Sequence, residues 1–174
     1  MSCTDKKQTL EIIVLETSKS GNKLANIATV EARRDALKIE LFPDKKFQTI
    51  TGFGGSFTES SAYLLNKLSQ ANRDLVLEAY FGESGAKYSL TRTHINSCDF
   101  SLSNYSYAPT AGDIALDNFS IEEDREHIIP MIKDAMALSK DGLKIIASPW
   151  TAPPWIKDNN DWVGGKLLPE YYDT

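Results

Sequence analysis

Residues 9–42 have a pattern of apolar and polar positions that is typical of β-strands. Residues 9–16 (TLEIIVLE) are rich in β-branched and apolar side chains, and residues 18–22 (SKSGN) have the composition of a turn. Residues 37–42 (LKIELF) alternate apolar with polar positions, which predicts a half-buried strand that ends at Pro43. Because two or three strands are marginal in water, we expect them to pair with strands elsewhere.

From residue 47 onward the pattern changes to strands alternating with helices. Short apolar runs at 47–51, 88–94 and 143–147 predict three strands. The last run is nearly all apolar, as expected for a strand that is covered on both faces. The order favours parallel strands joined by right-handed crossovers. A doubly wound sheet and a β/α barrel both satisfy this order.

Three helices are predicted between these strands. Ser56 with Glu59, and Ser120 with Glu123, have the spacing of a capping box, and Ser69 can cap a helix by itself. Apolar residues at helical spacing are expected to face the core: Ala62, Leu65 and Leu68; Leu75, Val76, Ala79 and Tyr80; Ile128, Ile129, Ile132, Ala135, Met136 and Leu138. The interval 96–119 has no helical period and predicts a long loop, of a kind that is usually functional or disordered.

Composition narrows the class of protein. The 174 residues are 41% hydrophobic and 25% charged, which is typical of a soluble globular protein, and the net charge is −5. This balance argues against nucleic-acid binding, which needs clustered Lys and Arg. Cys3, Cys98 and two histidines form neither a disulfide framework nor metal-ligand spacing, so we expect no metal. No apolar run is long enough to cross a bilayer.

The sequence leaves the cellular location open. Residues 1–8 are polar and lack the hydrophobic region of a signal peptide. That fits a cytoplasmic protein, or an exported one whose signal was removed. Cys3 stands where a lipid-anchored bacterial protein would carry its anchor, although an ordinary cysteine near the terminus is the simpler interpretation.

Two other features are interpreted as structural. The glycine-rich residues 52–55 (GFGG) lack the Lys-Ser/Thr of a P-loop and the full dinucleotide fingerprint, so a tight turn with positive φ is the simpler interpretation. His94, at the end of the strand predicted at 88–94, is expected to be a hydrogen-bonded structural histidine. His127, on a helix, is expected at the surface or at its boundary.

Candidate binding residues lie within or directly after the last two predicted strands. Arg92 lies inside a strand, and a buried arginine implies an acidic partner. Asp99 lies just past the carboxyl end of that strand, where barrels carry their active sites, although a loop-capping role fits equally well. Trp150 and Trp155 belong to the stiff segment 148–155 (SPWTAPPW). We assign Trp150 to stacking against the apolar face of a sugar and Trp155 to packing.

Together, residues 52–59 (GFGGSFTE), 88–100 (YSLTRTHINSCDF) and 147–155 (ASPWTAPPW) resemble glycoside hydrolase family 30, the glucosylceramidase family. The resemblance implies an α/β fold, the first part of a (β/α)8 TIM barrel over residues 46–174. Residues 1–45 would then supply N-terminal strands of a β-sandwich side domain.

The resemblance also implies a retaining β-glycosidase acting on β-glucosides such as glucosylceramide, without metal or cofactor. Such enzymes use two glutamates about 5–5.5 Å apart. In the family the acid/base follows the fourth strand in an Asn-Glu-Pro motif, and the nucleophile follows the seventh strand. With three barrel strands and no such motif here, we expect both catalytic glutamates beyond this chain, which alone would be inactive.

Three residues take roles from the resemblance. Asp99 would hold glucose hydroxyls, Trp150 would line the sugar subsite, and Arg92 would support the nucleophile. Two alternatives stay open: a β-1,6-glucanase or β-xylosidase of the same family, and a non-catalytic carbohydrate-binding fragment. The expected partner is a β-glucoside or a related glycan or glycolipid, and no nucleic acid; the oligomeric state is not predicted.

Overall fold

The computed structural model describes residues 12–28 and 34–173 and divides the chain into two units, Met1–Gln48 and Thr49–Thr174. Cys3 and the first part of the strand predicted at 9–16 lie outside the described residues. The assignment of residues 1–45 to a side domain stays a prediction.

Among residues 12–28 and 34–48 of the first unit, the regular structure is a short hairpin. Strands β1 (Val14–Glu16) and β2 (Ala25–Ile27) pair antiparallel, and the predicted turn between them is confirmed, with the Gly21 amide donating to the Ser18 carbonyl at 3.1 Å. The prediction of a strand at 37–42 was wrong, because the apolar side chains of this segment are exposed and no other described segment pairs with it. Alternation alone does not supply the neighbouring ladder that a strand needs.

Three parallel segments form the centre of the second unit. Strand β3 (Leu90–Ile95) pairs in parallel with β4 (Lys144–Pro149) along its whole length. On its other edge β3 contacts residues 53–57: the Arg92 amide donates to the Gly55 carbonyl at 3.0 Å, and the Phe57 amide donates to the Arg92 carbonyl at 2.8 Å. The predicted alternation of parallel strands and helices, an α/β fold, is therefore confirmed.

The glycine-rich residues 52–55 belong to the first of these segments and are not a turn. None of these glycines has a positive φ. Instead, a Cβ on Gly54 would lie 1.8 Å from the Leu90 carbonyl oxygen, and one on Gly52 would lie 2.4 Å from Ser89 Oγ. The prediction of a strand at 47–51 followed by a positive-φ turn was therefore wrong, because the glycines permit close approach to β3.

Four α-helices of the described part of the chain connect and cover the parallel segments. They are α1 (Glu59–Lys67), α2 (Gln70–Phe81), the one-turn α3 (Glu122–Arg125) and α4 (Ile128–Leu138). Ser69 caps α2 as predicted, accepting from the Asn72 amide at 3.4 Å. None of the described helices has both the length and the apolarity that crossing a membrane requires.

Neither predicted capping box forms. Ser56 bridges to Arg92 in extended conformation, so α1 begins after Thr58, whose Oγ1 accepts from the Ser61 amide at 3.2 Å. Ser120 Oγ accepts from the Glu122 amide at 3.1 Å but does not serve as the helix N-cap. The single helix predicted after Ser120 is split into α3 and α4.

The core of the second unit lies between the parallel segments and helices α1, α2 and α4. Its buried side chains are Phe57, Ala62, Leu77, Phe81, Met131 and Ala135. The predicted core face of α2 was shifted: Leu75 is 68% exposed, because the Phe57 and Phe81 rings stack at 5.6 Å and fix the helix with Leu77 inward.

Strand β4 was predicted to be buried on both faces, but it is largely exposed. Ile146 is 55% exposed, and most of the strand is open to solvent. The described residues therefore do not bury the apolar side chains of β4, and the prediction that both of its faces are covered was wrong.

Candidate active site

Segments that are far apart in sequence converge on one open pocket of about 300 Å³. Its walls come from residues 56–58, from β3 and the loop that follows it, and from the residue directly after β4. The pocket therefore lies at the carboxyl ends of the parallel segments, where β/α barrels bind substrates. All three predicted site residues line it: Arg92, Asp99 and Trp150.

Arg92 forms one wall of the pocket. Its Nε donates to Ser148 Oγ at 2.6 Å, and its guanidinium carbon lies 4.7 Å from the centre of the Trp150 ring. Arg92 makes no salt bridge with any acidic residue of the described part of the chain. The guanidinium therefore contacts a hydroxyl and an aromatic face, and the predicted acidic partner stays a prediction.

Asp99 offers an unused carboxylate to the pocket. It is exposed, and its side chain has neither a hydrogen bond nor an ion pair with the described residues. The turn around it is closed by other groups, since the Cys98 amide donates to Ser101 Oγ at 3.1 Å and the Ser101 amide to the Cys98 carbonyl at 3.0 Å. Asp99 thus caps no loop here, and it is the one carboxylate among the described residues that line the pocket.

The two tryptophans of the segment after β4 have different environments. Trp150 is 48% exposed, with its ring against Arg92 and its backbone amide 3.4 Å from the Ile95 carbonyl. Trp155 packs edge-to-face on Tyr171 at 5.2 Å, and its Nε1 donates to the Ala108 carbonyl at 2.9 Å. Trp150 is therefore available for stacking, whereas Trp155 is engaged in packing as predicted.

His94 is only partly satisfied. It is 5% exposed, and its Nδ1 donates to the Asn96 carbonyl at 2.6 Å, because a carbonyl oxygen can only accept. Nε2 is buried and has no partner among the described residues. His127 is partly buried, as predicted, against the Tyr63 ring and Asn66.

Sequence reasoning missed the groups that hold the long loop after β3. Buried Asp124 accepts from the Tyr105 hydroxyl at 2.8 Å and from the Tyr107 hydroxyl. Burial, and then the hydrogen bond to Asp124, raise the pKa of both tyrosines well above the ordinary value. The spacing of the two tyrosines in an otherwise irregular loop was the available signal for this anchor.

A buried lysine holds the loop after β4. The Lys157 ammonium donates to Thr151 Oγ1 at 3.2 Å, to the Trp162 carbonyl at 3.0 Å and to the Gly164 carbonyl at 3.0 Å. Its partners are all neutral oxygens, so no charge pattern in the sequence indicated it. Lys157 therefore stabilises the position of Thr151, the residue next to Trp150.

Within the described ranges, no group of three or more His, Cys, Asp or Glu side chains is arranged to hold a metal ion.

Residues 50–173 match the glycosyl hydrolase family 30 TIM-barrel domain. Over 155 residues the chain is 39% identical to the lysosomal acid glucosylceramidase of Mus musculus, an alignment that covers 87% of this chain and 30% of that protein.

Two solved structures resemble the fold. SrfJ from Salmonella typhimurium superposes with a TM-score of 0.78 at 35% identity, covering 92% of this chain and 37% of SrfJ. An endo-β1,6-glucanase superposes with a TM-score of 0.70 at 33% identity, covering 87% of this chain and 34% of the glucanase. The chain thus spans about a third of the length of the proteins it matches.

Proposed function

Because the chain belongs to glycosyl hydrolase family 30, we propose that the full-length protein is a retaining β-glycosidase that hydrolyses β-glucosides. The observation that carries this proposal is the convergence of Arg92, Asp99 and Trp150 on one pocket at the carboxyl ends of parallel strands. The three side chains differ in chemistry, and each suits a different part of a glucoside.

Asp99 and Trp150 bind the sugar ring. The free Asp99 carboxylate accepts hydrogen bonds from glucose hydroxyls, each worth about 1.5–3 kcal/mol because the acceptor is charged. The exposed part of Trp150 covers the apolar C–H face of the ring. This pairing fixes both the orientation and the depth of the sugar.

Arg92 supports the nucleophile. Its guanidinium has no acidic partner among the described residues, so its charge is available to hold a carboxylate ionised beside the anomeric carbon. That carboxylate attacks the anomeric carbon while a carboxylic acid protonates the departing oxygen, and water then hydrolyses the glycosyl-enzyme. Trp150 stacks on Arg92 and keeps it directed into the pocket.

Both catalytic glutamates belong to parts of the protein outside these 174 residues. Supporting this, Asp99 is the one carboxylate that lines the pocket among the described residues, whereas a retaining site needs a pair about 5–5.5 Å apart. Residues 46–174 are then the first part of the barrel, and residues 1–45 contribute strands to a β-sandwich side domain.

The leading substrate class is a β-glucoside with a lipid aglycone, as in glucosylceramide, by similarity to the mouse enzyme. Endo-1,6-β-glucanase activity is the second candidate, favoured by the superposition at a TM-score of 0.70. Both substrates present a β-linked glucosyl unit at the bond that is cleaved, so they differ in what lies beyond the pocket.

A substrate panel tests the proposal on the full-length protein. Nitrophenyl β-glucoside, nitrophenyl β-xyloside, β-1,6-glucan and glucosylceramide are compared by kcat/KM. A higher kcat/KM for glucosylceramide selects the glucosyl-lipid hydrolase, and a higher value for β-1,6-glucan selects the endo-1,6-β-glucanase. A higher value for the xyloside selects a β-xylosidase. Binding of glucose oligomers without turnover of any of the four compounds would replace the enzyme with a non-catalytic carbohydrate-binding protein.

A further inference from the structure

Asn96 has a left-handed backbone conformation and lies between the loop after β3 and the loop after β4. It follows the last residue of β3, is 9% exposed, and has a φ of +61°. Asparagine tolerates this left-handed conformation better than most residues do. Asn96 does not line the pocket, but Asp99 lies three residues after it in the loop that follows β3.

The side chain of Asn96 ties together segments that are far apart in sequence. Its Oδ1 accepts from the Tyr107 amide at 2.9 Å, and its Nδ2 donates to the Thr151 carbonyl at 3.2 Å. The first bond holds the loop that carries Asp99, and the second holds the residue next to Trp150.

The backbone of Asn96 is fixed as well. Its carbonyl accepts from His94 Nδ1, and the next amide, that of Ser97, donates to the Tyr105 carbonyl at 3.0 Å. The buried amide side chain of Asn96 therefore links the loop that carries Asp99 to the residue next to Trp150, and its own position is held from two sides.

We propose that Asn96 is a positioning residue that sets the relative placement of Asp99 and Trp150. The inference rests on the proposed function, because it concerns the same sugar site. A sugar held by a carboxylate on one loop and an indole on another is bound well only if the two loops keep a fixed spacing. Asn96 supplies that spacing without touching the sugar.

The deletion variant is Asn96→Gly in the full-length protein, since glycine keeps the left-handed backbone and removes both side-chain bonds. Each lost neutral hydrogen bond is expected to lower kcat/KM for nitrophenyl β-glucoside about fivefold. Asn118→Ala is the matched control: it removes a loop asparagine whose Nδ2 donates to Asp113, and neither residue lines the pocket. The control is expected to keep parental kcat/KM.

A double variant tests whether Asn96 acts through the site. If it positions Asp99, adding Asn96→Gly to Asp99→Ala costs less than it does in the parent, since the carboxylate to be positioned is already gone. Losses that multiply fully would show an independent structural effect and would overturn the inference.

A readout that does not need activity separates this inference from the proposed function. With 5-fluorotryptophan incorporated, the ¹⁹F resonance that disappears in Trp150→Phe reports the position of Trp150. Asn96→Gly should shift or broaden it, and Asn118→Ala should leave it unchanged. A moved resonance in a protein that cleaves no β-glycoside would sustain the positioning role and reject the enzyme. An unmoved resonance would reject the positioning role, whatever the activity.

If Asn96→Gly does not fold, Asn96→Asp takes its place. Aspartate tolerates the same backbone conformation and keeps an acceptor for the Tyr107 amide, but it cannot donate to the Thr151 carbonyl. The Trp150 resonance should still move, and an unchanged spectrum overturns the proposal.

Discussion

Replacing Asp99 by alanine separates binding from stability. The Asp99 side chain is exposed and makes no hydrogen bond or ion pair with the described residues, so its removal should change the free energy of unfolding by less than about 0.5 kcal/mol. A carboxylate that accepts even one hydroxyl loses about 1.5–3 kcal/mol of binding when truncated. The lower figure corresponds to about tenfold in kcat/KM.

The assay follows nitrophenol release from nitrophenyl β-glucoside by the full-length protein, with a urea melt on the same preparation. Asp117→Ala is the matched control, because it removes another exposed carboxylate of the same loop that does not line the pocket. We expect Asp99→Ala to lose at least about tenfold in kcat/KM at parental stability. Unchanged kinetics, or an equal loss in Asp117→Ala, would remove Asp99 from the sugar site.

Three further outcomes are expected. Gly54→Ala should destabilise the protein by about 1–3 kcal/mol or more in urea unfolding, because its Cβ would lie 1.8 Å from the Leu90 carbonyl oxygen, whereas Gly55→Ala has 3.8 Å of space and should be tolerated; equal costs would contradict the close packing. Burial, together with Asp124, raises the pKa of Tyr105 and Tyr107, so above about pH 10 the unfolded chain releases protons that the folded chain keeps, and stability should fall as pH rises. Urea midpoints from pH 8 to 11 should fall less steeply in Tyr105→Phe than in the parent, and an equal slope would argue against that cause. The 174-residue chain by itself should release no nitrophenol from nitrophenyl β-glucoside, provided that circular dichroism first establishes that it folds. Measurable turnover would place a catalytic carboxylate within it.

The part of the site that depends on strand order could be predicted from sequence. Parallel strands place the residues at their carboxyl ends side by side, so Asp99 after β3 and Trp150 after β4 were expected to meet, and both line the pocket. Arg92 was recognised because a charge inside a strand needs a special environment. The placement of these residues follows from local pattern and the geometry of parallel pairing, whereas their roles come from the family resemblance.

The groups that hold the site could not be predicted in the same way. Asn96 and Lys157 act through hydrogen bonds to residues that are distant in sequence or to backbone carbonyls, and neither kind of bond leaves a pattern in the chain. For Asp124 the spacing of Tyr105 and Tyr107 was a signal, but it did not identify the carboxylate that anchors them. The glycines of 52–55 were misread for a related reason. The contact that requires glycine is with the neighbouring strand, so the local sequence looks like an ordinary turn.

The stereochemistry of hydrolysis tests the central claim most directly. The full-length protein is mixed with nitrophenyl β-glucoside, and the anomeric signals of released glucose are followed by ¹H NMR before mutarotation. A retaining enzyme whose sugar subsite contains Arg92, Asp99 and Trp150 releases β-glucose first, and Asp99→Ala slows that release. Release of α-glucose first, or no glucose at all from any β-glycoside offered, would contradict the account.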